Sequence, residues 1–84
     1  MYTLIADCSN FTLDHSICIA DAAGNIVAVT HLPVDEIAEY AAADSRIDSI
    51  KLSGPTEYCM GIKEQIENKI ALEYASRNIN VEVL

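Results

Sequence analysis

Short apolar segments separated by polar turns fill the first part of the chain. Tyr2–Asp7 is apolar on both faces apart from Thr3, a pattern typical of a central strand that other elements cover. Residues 16–20 and Ile26–Leu32 are apolar and rich in β-branched side chains, so they predict two more strands. Residues 21–25 contain Gly and Asn and predict a tight turn between those two strands. We therefore expect an antiparallel meander of three strands.

A helical pattern begins after Pro33. Asp35 and Glu36 stand where the positive end of a helix dipole favours acids. Apolar residues then recur at helical spacing on one side of the segment, at Val34, Ile37, Ala38 and Ala41. The small Ala side chains would allow this helix to lie close to a sheet. The pattern ends near Asp44 and Ser45, so we predict a first helix between these limits.

The second half of the chain alternates strand, helix and strand. Residues 47–52 predict a fourth strand, and residues 79–84 alternate cleanly, which predicts a last strand with one wet face or an edge position. Between them, residues 57–76 predict a long helix. Its apolar side is formed by Cys59, Ile62, Ile66, Ile70 and Tyr74. Gly61 suggests close packing within this helix, and Arg77 is a cation suited to its C-terminal end. The order β-β-β-α-β-α-β predicts an α/β fold with a five-stranded mixed sheet, two helices and parallel pairing of the later strands.

Length and charge narrow the range of functions. The 84 residues predict one domain that spans residues 1–84, and a hydrophobic content of 51% is enough for a real core. Thirteen acids against five bases give a net charge of −8. This charge disfavours direct binding to nucleic acids or to anionic membranes, since both require Lys and Arg. It is compatible with a basic protein partner or with imitation of nucleic-acid charge.

The cysteines and histidines give no sign of a metal or disulfide framework. Cys8, Cys18 and Cys59 are odd in number and form no C-x-x-C pair, so we expect free thiols in a reducing cytoplasm. We expect Cys8 to lie nearest the solvent. His15 and His31 have no ligand spacing with the cysteines and no catalytic partner in the sequence, so we predict no metal site. No leader peptide or run of about 20 apolar residues is expected.

Two loops and the element order resemble a known fold. Residues 5–10 (IADCSN) place Asp7 at the end of the first strand, before a turn of small residues, and residues 52–55 (LSGP) place Gly54 in a turn before a helix. Residues 19–27 look like a strand–Asp–Gly–strand hairpin. Together these features resemble the ribonuclease H-like fold, which the actin-like ATPases, sugar kinases and heat-shock chaperone ATPases share. The resemblance implies that Asp7 would lie near a metal ion or phosphates, and Gly54 near adenosine.

The candidate ligand-binding residues are those of the two loops, namely Asp7, Ser9, Asn10, Ser53 and Gly54. The sequence departs from the resemblance because it has no Gly-rich phosphate turn after the first strand and no second acid after the fourth. A lone carboxylate binds a divalent ion weakly and cannot form a paired-metal site. We therefore predict no catalytic residue and no cofactor. The simpler interpretation is that Asp7 caps the turn that follows it, and that the Ser and Gly residues serve the turns themselves.

The remaining features favour protein contacts. The first helix is acidic on its outer side, at Asp35, Glu36, Glu39 and Asp44. A long second helix on a small sheet and the alternating last strand would leave either apolar surface or a free strand edge, and either one is a route to self-association or to pairing with another protein. We predict a small acidic non-enzymatic interaction module of bacterial or phage type. It would be a homo-oligomer that inhibits a nucleic-acid-binding partner by charge mimicry. The alternative is a vestigial phosphotransfer domain that binds a nucleotide or Mg²⁺ through the two loops.

Overall fold

The elements follow the predicted order. The structure, a computed structural model, describes residues 1–9 and 14–84. Its strands and helices are β1 (Tyr2–Asp7), β2 (His15–Ala20), β3 (Ile26–Leu32), α1 (Val34–Ala43), β4 (Ile47–Ser53), α2 (Thr56–Glu73) and β5 (Asn80–Val83). The predicted bounds of β1 and β3 are confirmed to the residue. The others differ by one to three residues at one or both ends.

The strands form one mixed sheet in the order β3-β2-β1-β4-β5. β1 pairs antiparallel with β2, and β2 pairs antiparallel with β3, so the predicted meander is confirmed. β4 lies parallel to β1 on its other side and β5 lies parallel to β4, as the two crossovers predicted. Residues 1–9 and 14–84 therefore form a mixed α/β domain with five strands and two helices.

Both helices lie on the same face of this sheet. The two crossovers run in the same direction across the sheet, and right-handed connections then place both helices on one side. α1 and α2 also pack against each other. The side chains beneath them are buried, as at Leu4 and Ala6 of β1 and Ile50 and Leu52 of β4. β1 is central, as predicted, but the described elements cover only one of its faces, and Ile5 on the other face is half-buried.

The short turn between β2 and β3 has the predicted chemistry. Gly24 has a φ of +89°, a conformation that favours glycine, and its amide donates to the carbonyl of Asp21. The Asp21 carboxylate accepts hydrogen bonds from the amides of Ala23 and Asn25 at 3.0 and 2.9 Å. The turn therefore holds its shape through its own backbone and one acid.

Two predictions about α2 are wrong. A Cβ added at Gly61 would meet no atom within 4 Å, so the glycine does not mark close packing. The helix ends at Glu73, three residues before the predicted end, and Arg77 serves another element. The Arg77 guanidinium donates to the carbonyls of Ala42 at 2.5 Å and Ile47 at 2.6 Å, which lie at the end of α1 and the start of β4. Within the described residues, neither helix is long and apolar enough to cross a membrane.

Candidate functional site

The predicted site lies in a row of polar side chains on the uncovered face of the sheet. Asp7 is the last residue of β1, and its register partners are Ser53 of β4 on one side and Ser16 of β2 on the other. Ser16 in turn pairs with His31 of β3, and its hydroxyl lies 3.4 Å from His31 Nε2. The sequence separates these four residues, and the sheet register brings them into one line across four strands.

The Asp7 carboxylate is hydrogen-bonded to the turn that follows it. One of its carboxylate oxygens, Oδ1, accepts hydrogen bonds from the Ser9 amide at 3.0 Å and from the Ser9 hydroxyl at 2.6 Å. These two bonds hold the pKa of Asp7 below its ordinary value, so the side chain is a carboxylate at neutral pH. This geometry is the turn cap that the simpler interpretation predicted. The side chain is exposed.

Close approach of other backbone atoms, rather than space for a ligand, explains the glycine at position 54. Its φ is +147°, and a Cβ at this position would lie 2.7 Å from the carbonyl carbon and oxygen of Cys8 and 2.9 Å from the amide of Ser9. The Cys8 amide donates to the Ser53 carbonyl at 2.6 Å, which fastens the same two loops together. The structure thus brings Asp7, Ser9, Ser53 and Gly54 together at one edge of the sheet. Asn10, the fifth predicted residue, lies outside the described residues.

The described residues offer little to a metal ion. Among residues 1–9 and 14–84, no group of three or more His, Cys, Asp or Glu side chains could hold one. Two shallow depressions lie elsewhere on the surface. One of about 380 Å³ is lined by residues of α2 and by Arg77 and Ile79. The other, of about 290 Å³, lies between Leu32 and the outer side of α1, at Tyr40 and its neighbours.

The predicted acidic surface has three of its four members. Asp35, Glu36 and Glu39 are exposed on α1. Asp44 follows the helix and forms a salt bridge with Arg46, in which Arg46 Nη2 lies 2.8 Å from Asp44 Oδ2. The side-chain and backbone hydrogen bonds from Arg46 lower the pKa of Asp44 to about 2. α2 adds four more exposed acids, at Glu57, Glu64, Glu67 and Glu73.

The thiols are arranged differently from the prediction. Cys8 is fully buried, and Cys18 of β2, on the uncovered face of the sheet, is the partly exposed one. Burial, reinforced by the neighbouring Cys59 thiol, raises the pKa of Cys8 to about 11. Cys59 is buried on the apolar side of α2, as its position in the helical pattern indicates. The prediction for Cys8 is wrong because the Gly54 turn packs over its backbone.

One buried polar side chain was not expected. His15 is only 1% exposed, with Nε2 3.4 Å from the Tyr58 hydroxyl of α2. Its Nδ1 makes no hydrogen bond to any residue that the structure describes. His15 is the first residue of β2, and its side chain faces the helices. The sign of burial in the sequence was its position two residues before Ile17, which places both side chains on the same face of the strand.

The outer edge of β3 is the feature that sequence reasoning left unassigned. β3 lies at one end of the sheet order, and no strand of the described residues pairs with its outer side. Val29 is 67% and Ile26 is 55% exposed. The chain has no Asp, Glu, Lys or Arg between Asp21 and Asp35, so this strand carries none of the acids that give the protein its net charge of −8. Proteins usually protect such an edge with charges, prolines or short strands.

Comparison with protein-family models, with curated proteins and with solved structures gives no match. The function is therefore argued from the sequence and the geometry of the described residues.

Proposed function

We propose that this protein is a non-enzymatic interaction module that associates with itself and with another protein. The observation that carries this proposal is the edge of β3, which is seven residues long, mostly apolar and without Asp, Glu, Lys or Arg. An unpaired edge of this kind is a template for another strand, because its outward backbone groups lack partners in the sheet. The polar row at Asp7 supports a structural role instead, since its carboxylate caps a turn.

The two edges of the sheet differ in a way that favours this role for β3. β5, at the opposite edge, has only four residues, and Glu82 is one of them. A short, charged edge strand is a common means of preventing unwanted pairing. β3 has a bulge at Val27 but otherwise none of these protections. This difference between the two edges is expected if the edge of β3 binds another strand and the edge of β5 is kept from pairing.

The helical face supports the second part of the proposal, a basic partner. α1 and α2 together carry seven of the thirteen acids and two of the five bases. Such a surface would attract a basic protein over a distance set by the ionic strength, and it could compete with nucleic acid for the same partner. We also infer a domain of ribonuclease H-like type in the cytoplasm. The element order and the free cysteines support these two inferences.

Light scattering coupled to size-exclusion chromatography tests self-association. We expect the mean mass to rise with protein concentration, and to rise further with salt, because salt screens the repulsion between two chains of charge −8. Val29→Lys puts on this edge the kind of charged side chain that disfavours strand pairing, so it should weaken the association by more than about tenfold, equivalent to ~1.4 kcal/mol. This substitution makes the net charge less negative, so a general charge effect would act in the opposite direction.

Asn80→Lys is the matched control, because Asn80 is an exposed residue of the other edge strand and the charge change is the same. It should leave self-association intact. A protein that stays monomeric at every concentration would disprove self-association, and equal effects of the two variants would show that β3 is not the surface used.

Binding to a basic partner is tested by capture from the source cell. A partner that binds the protein but not an Asp35→Asn/Glu36→Gln/Glu39→Gln variant, and that is released by moderate salt, would support the acidic face. Glu73→Gln, near the end of α2, is the control for charge at a distance. Capture that is insensitive both to the triple variant and to salt would refute the role of this face.

A further inference from the structure

The hydrogen-bond pattern of the sheet shows which groups of β3 point outward. The Asp21 amide donates to the Asn25 carbonyl, so Asp21 faces β3. Because the backbone of a strand alternates its bonding direction, every second residue of β2 from Asp21 also faces β3, including Ile17. Thr30 is the partner of Ile17 and therefore faces back to β2. Val29, the next residue along β3, directs its N–H and C=O away from the sheet.

His31 lies two residues further and has the same orientation as Val29. On one side of this pair, Val27 forms a bulge, which interrupts the alternation. On the other side, Pro33 has no N–H, and its carbonyl accepts a bond from Glu36 of α1. The regular, outward-facing part of the edge is thus short, and its centre is Thr30.

We propose that the occupant of this edge is a second copy of the same chain, with β3 of each copy antiparallel about a twofold axis at Thr30. This inference rests on the proposed function and adds its geometry. The axis pairs Val29 of one copy with His31 of the other, and the reverse, so both outward-facing residues of each copy are used. Each such pair exchanges two bonds, which gives about four backbone hydrogen bonds across the axis.

Side chains are compatible with this register. Thr30 would face Thr30 of the second copy, a favourable cross-strand pair. Ala28, an exposed small residue, would face the half-buried Leu32 of the other chain. A register centred on Val29 would instead pair His31 with the bulged Val27, whose backbone is not aligned for regular pairing.

The distribution of charge explains why a second copy can occupy the edge. Two chains of charge −8 repel each other, yet neither contributes a charged side chain from β3 itself. The uncovered face of the sheet is less suited to self-stacking, because Asp7, Lys51 and Glu82 lie on it and would be buried. Edge-to-edge pairing produces one continuous ten-stranded sheet, and the twofold axis closes the assembly as a dimer.

Cysteine crosslinking tests the register. In a Cys18→Ser background, Thr30→Cys places two thiols across the axis with Cα atoms about 4.5 Å apart, within the range of a disulfide. Oxidised glutathione should take up two electrons and two protons from these thiols and leave a disulfide-linked dimer. Ala28→Cys is the matched control, since it is on the same strand and the same sheet face. In this register, its two copies would lie about 14 Å apart along the strands.

We expect a crosslinked dimer from Thr30→Cys and a monomer from Ala28→Cys. Circular dichroism should show that both variants keep the native fold. Crosslinking of Ala28→Cys without Thr30→Cys would overturn the register. If neither variant crosslinks while light scattering still shows a dimer, the edge-to-edge geometry is wrong and self-association itself stands. If the unmodified protein is monomeric at every concentration, both proposals fail.

Discussion

Arg77 offers the sharpest test of what holds this fold together. Its guanidinium lies at the C-terminal end of α1, although its own place in the sequence is 36 residues from Ala41. It donates to the carbonyls of Ala42 at 2.5 Å and Ile47 at 2.6 Å, with longer bonds to Asp44 at 3.2 Å and Ala41 at 3.4 Å. The last four carbonyls of a helix have no donor within it, and α1 has no base of its own in its last turn.

The cost of removing these bonds can be worked out. A hydrogen bond from a charged donor contributes about 1.5–3 kcal/mol, and a cation at a helix C-terminus adds about 0.3–1 kcal/mol. The side chain is only partly buried, so water can replace some of these contacts. We therefore expect Arg77→Met, which keeps most of the apolar stem, to lower the free energy of unfolding by about 2–3 kcal/mol in total. A domain of 84 residues has about 4–13 kcal/mol to lose.

Urea unfolding followed by circular dichroism measures this loss, and a thermal scan should show a melting temperature lower by about 10–20 °C. Arg77→Lys separates charge from geometry. One ammonium group keeps the charge but cannot reach carbonyls on both α1 and β4, so we expect an intermediate loss. Arg46→Met is the control, because Arg46 is 64% exposed and bonds mainly to its neighbour Asp44. An Arg77→Met protein whose stability lies within 0.5 kcal/mol (about the error of such measurements) of the original would refute the reasoning.

Three further predictions concern the loops and thiols. Gly54→Ala should destabilise the protein by about 2–4 kcal/mol in a urea titration, because the added Cβ would collide with backbone atoms. Gly61→Ala, at an open position in a helix, should stabilise the protein by about 0.5–1 kcal/mol in the same titration. A stable Gly54→Ala variant would contradict the close approach of the two loops. A water-soluble maleimide at pH 8 should modify Cys18 first and leave Cys8 unreacted in the native protein, because the pKa of Cys8 is raised to about 11; mass spectrometry of the labelled peptides decides this, and early labelling of Cys8 would show that the loop opens. Millimolar ATP with Mg²⁺ should not change the melting temperature; a rise that Asp7→Asn abolishes would establish the alternative ligand site.

Local patterns predicted the elements because their causes are local. β3 was predicted to the residue, since a run of β-branched side chains ends at a proline on one side and at a glycine turn on the other. Arg77 shows the opposite case. Its sequence neighbours suggest a cation at the end of α2, but its partners are backbone carbonyls 30 to 36 residues away, which no local pattern records.

The meeting of the two loops was predicted from the sequence, and the simpler of its two interpretations gave Asp7 the turn cap that the structure shows. Strand ends and turn residues placed Asp7, Ser53 and Gly54 at one edge of the sheet, and they meet there. The sequence could not show that the Gly54 turn packs directly on the backbone of Cys8, which buries that thiol. The outer edge of β3 was missed because an edge is a property of strand order, and strand order depends on long-range pairing rather than on composition.

The placement of both helices on one face concentrates negative charge on that side of the sheet. The two helices carry seven of the thirteen acids and two of the five bases, a net charge of −5 (−7 + 2) out of −8. Near a positively charged body, such a molecule experiences a torque as well as an attraction, so its helical side turns forward before contact. Counter-ions limit this alignment to the last ~8 Å of the approach at physiological salt. In a molecule aligned in this way, the outer edge of β3 points to the side and not toward the cationic protein. Dimer formation and capture of a cationic protein would therefore not obstruct each other.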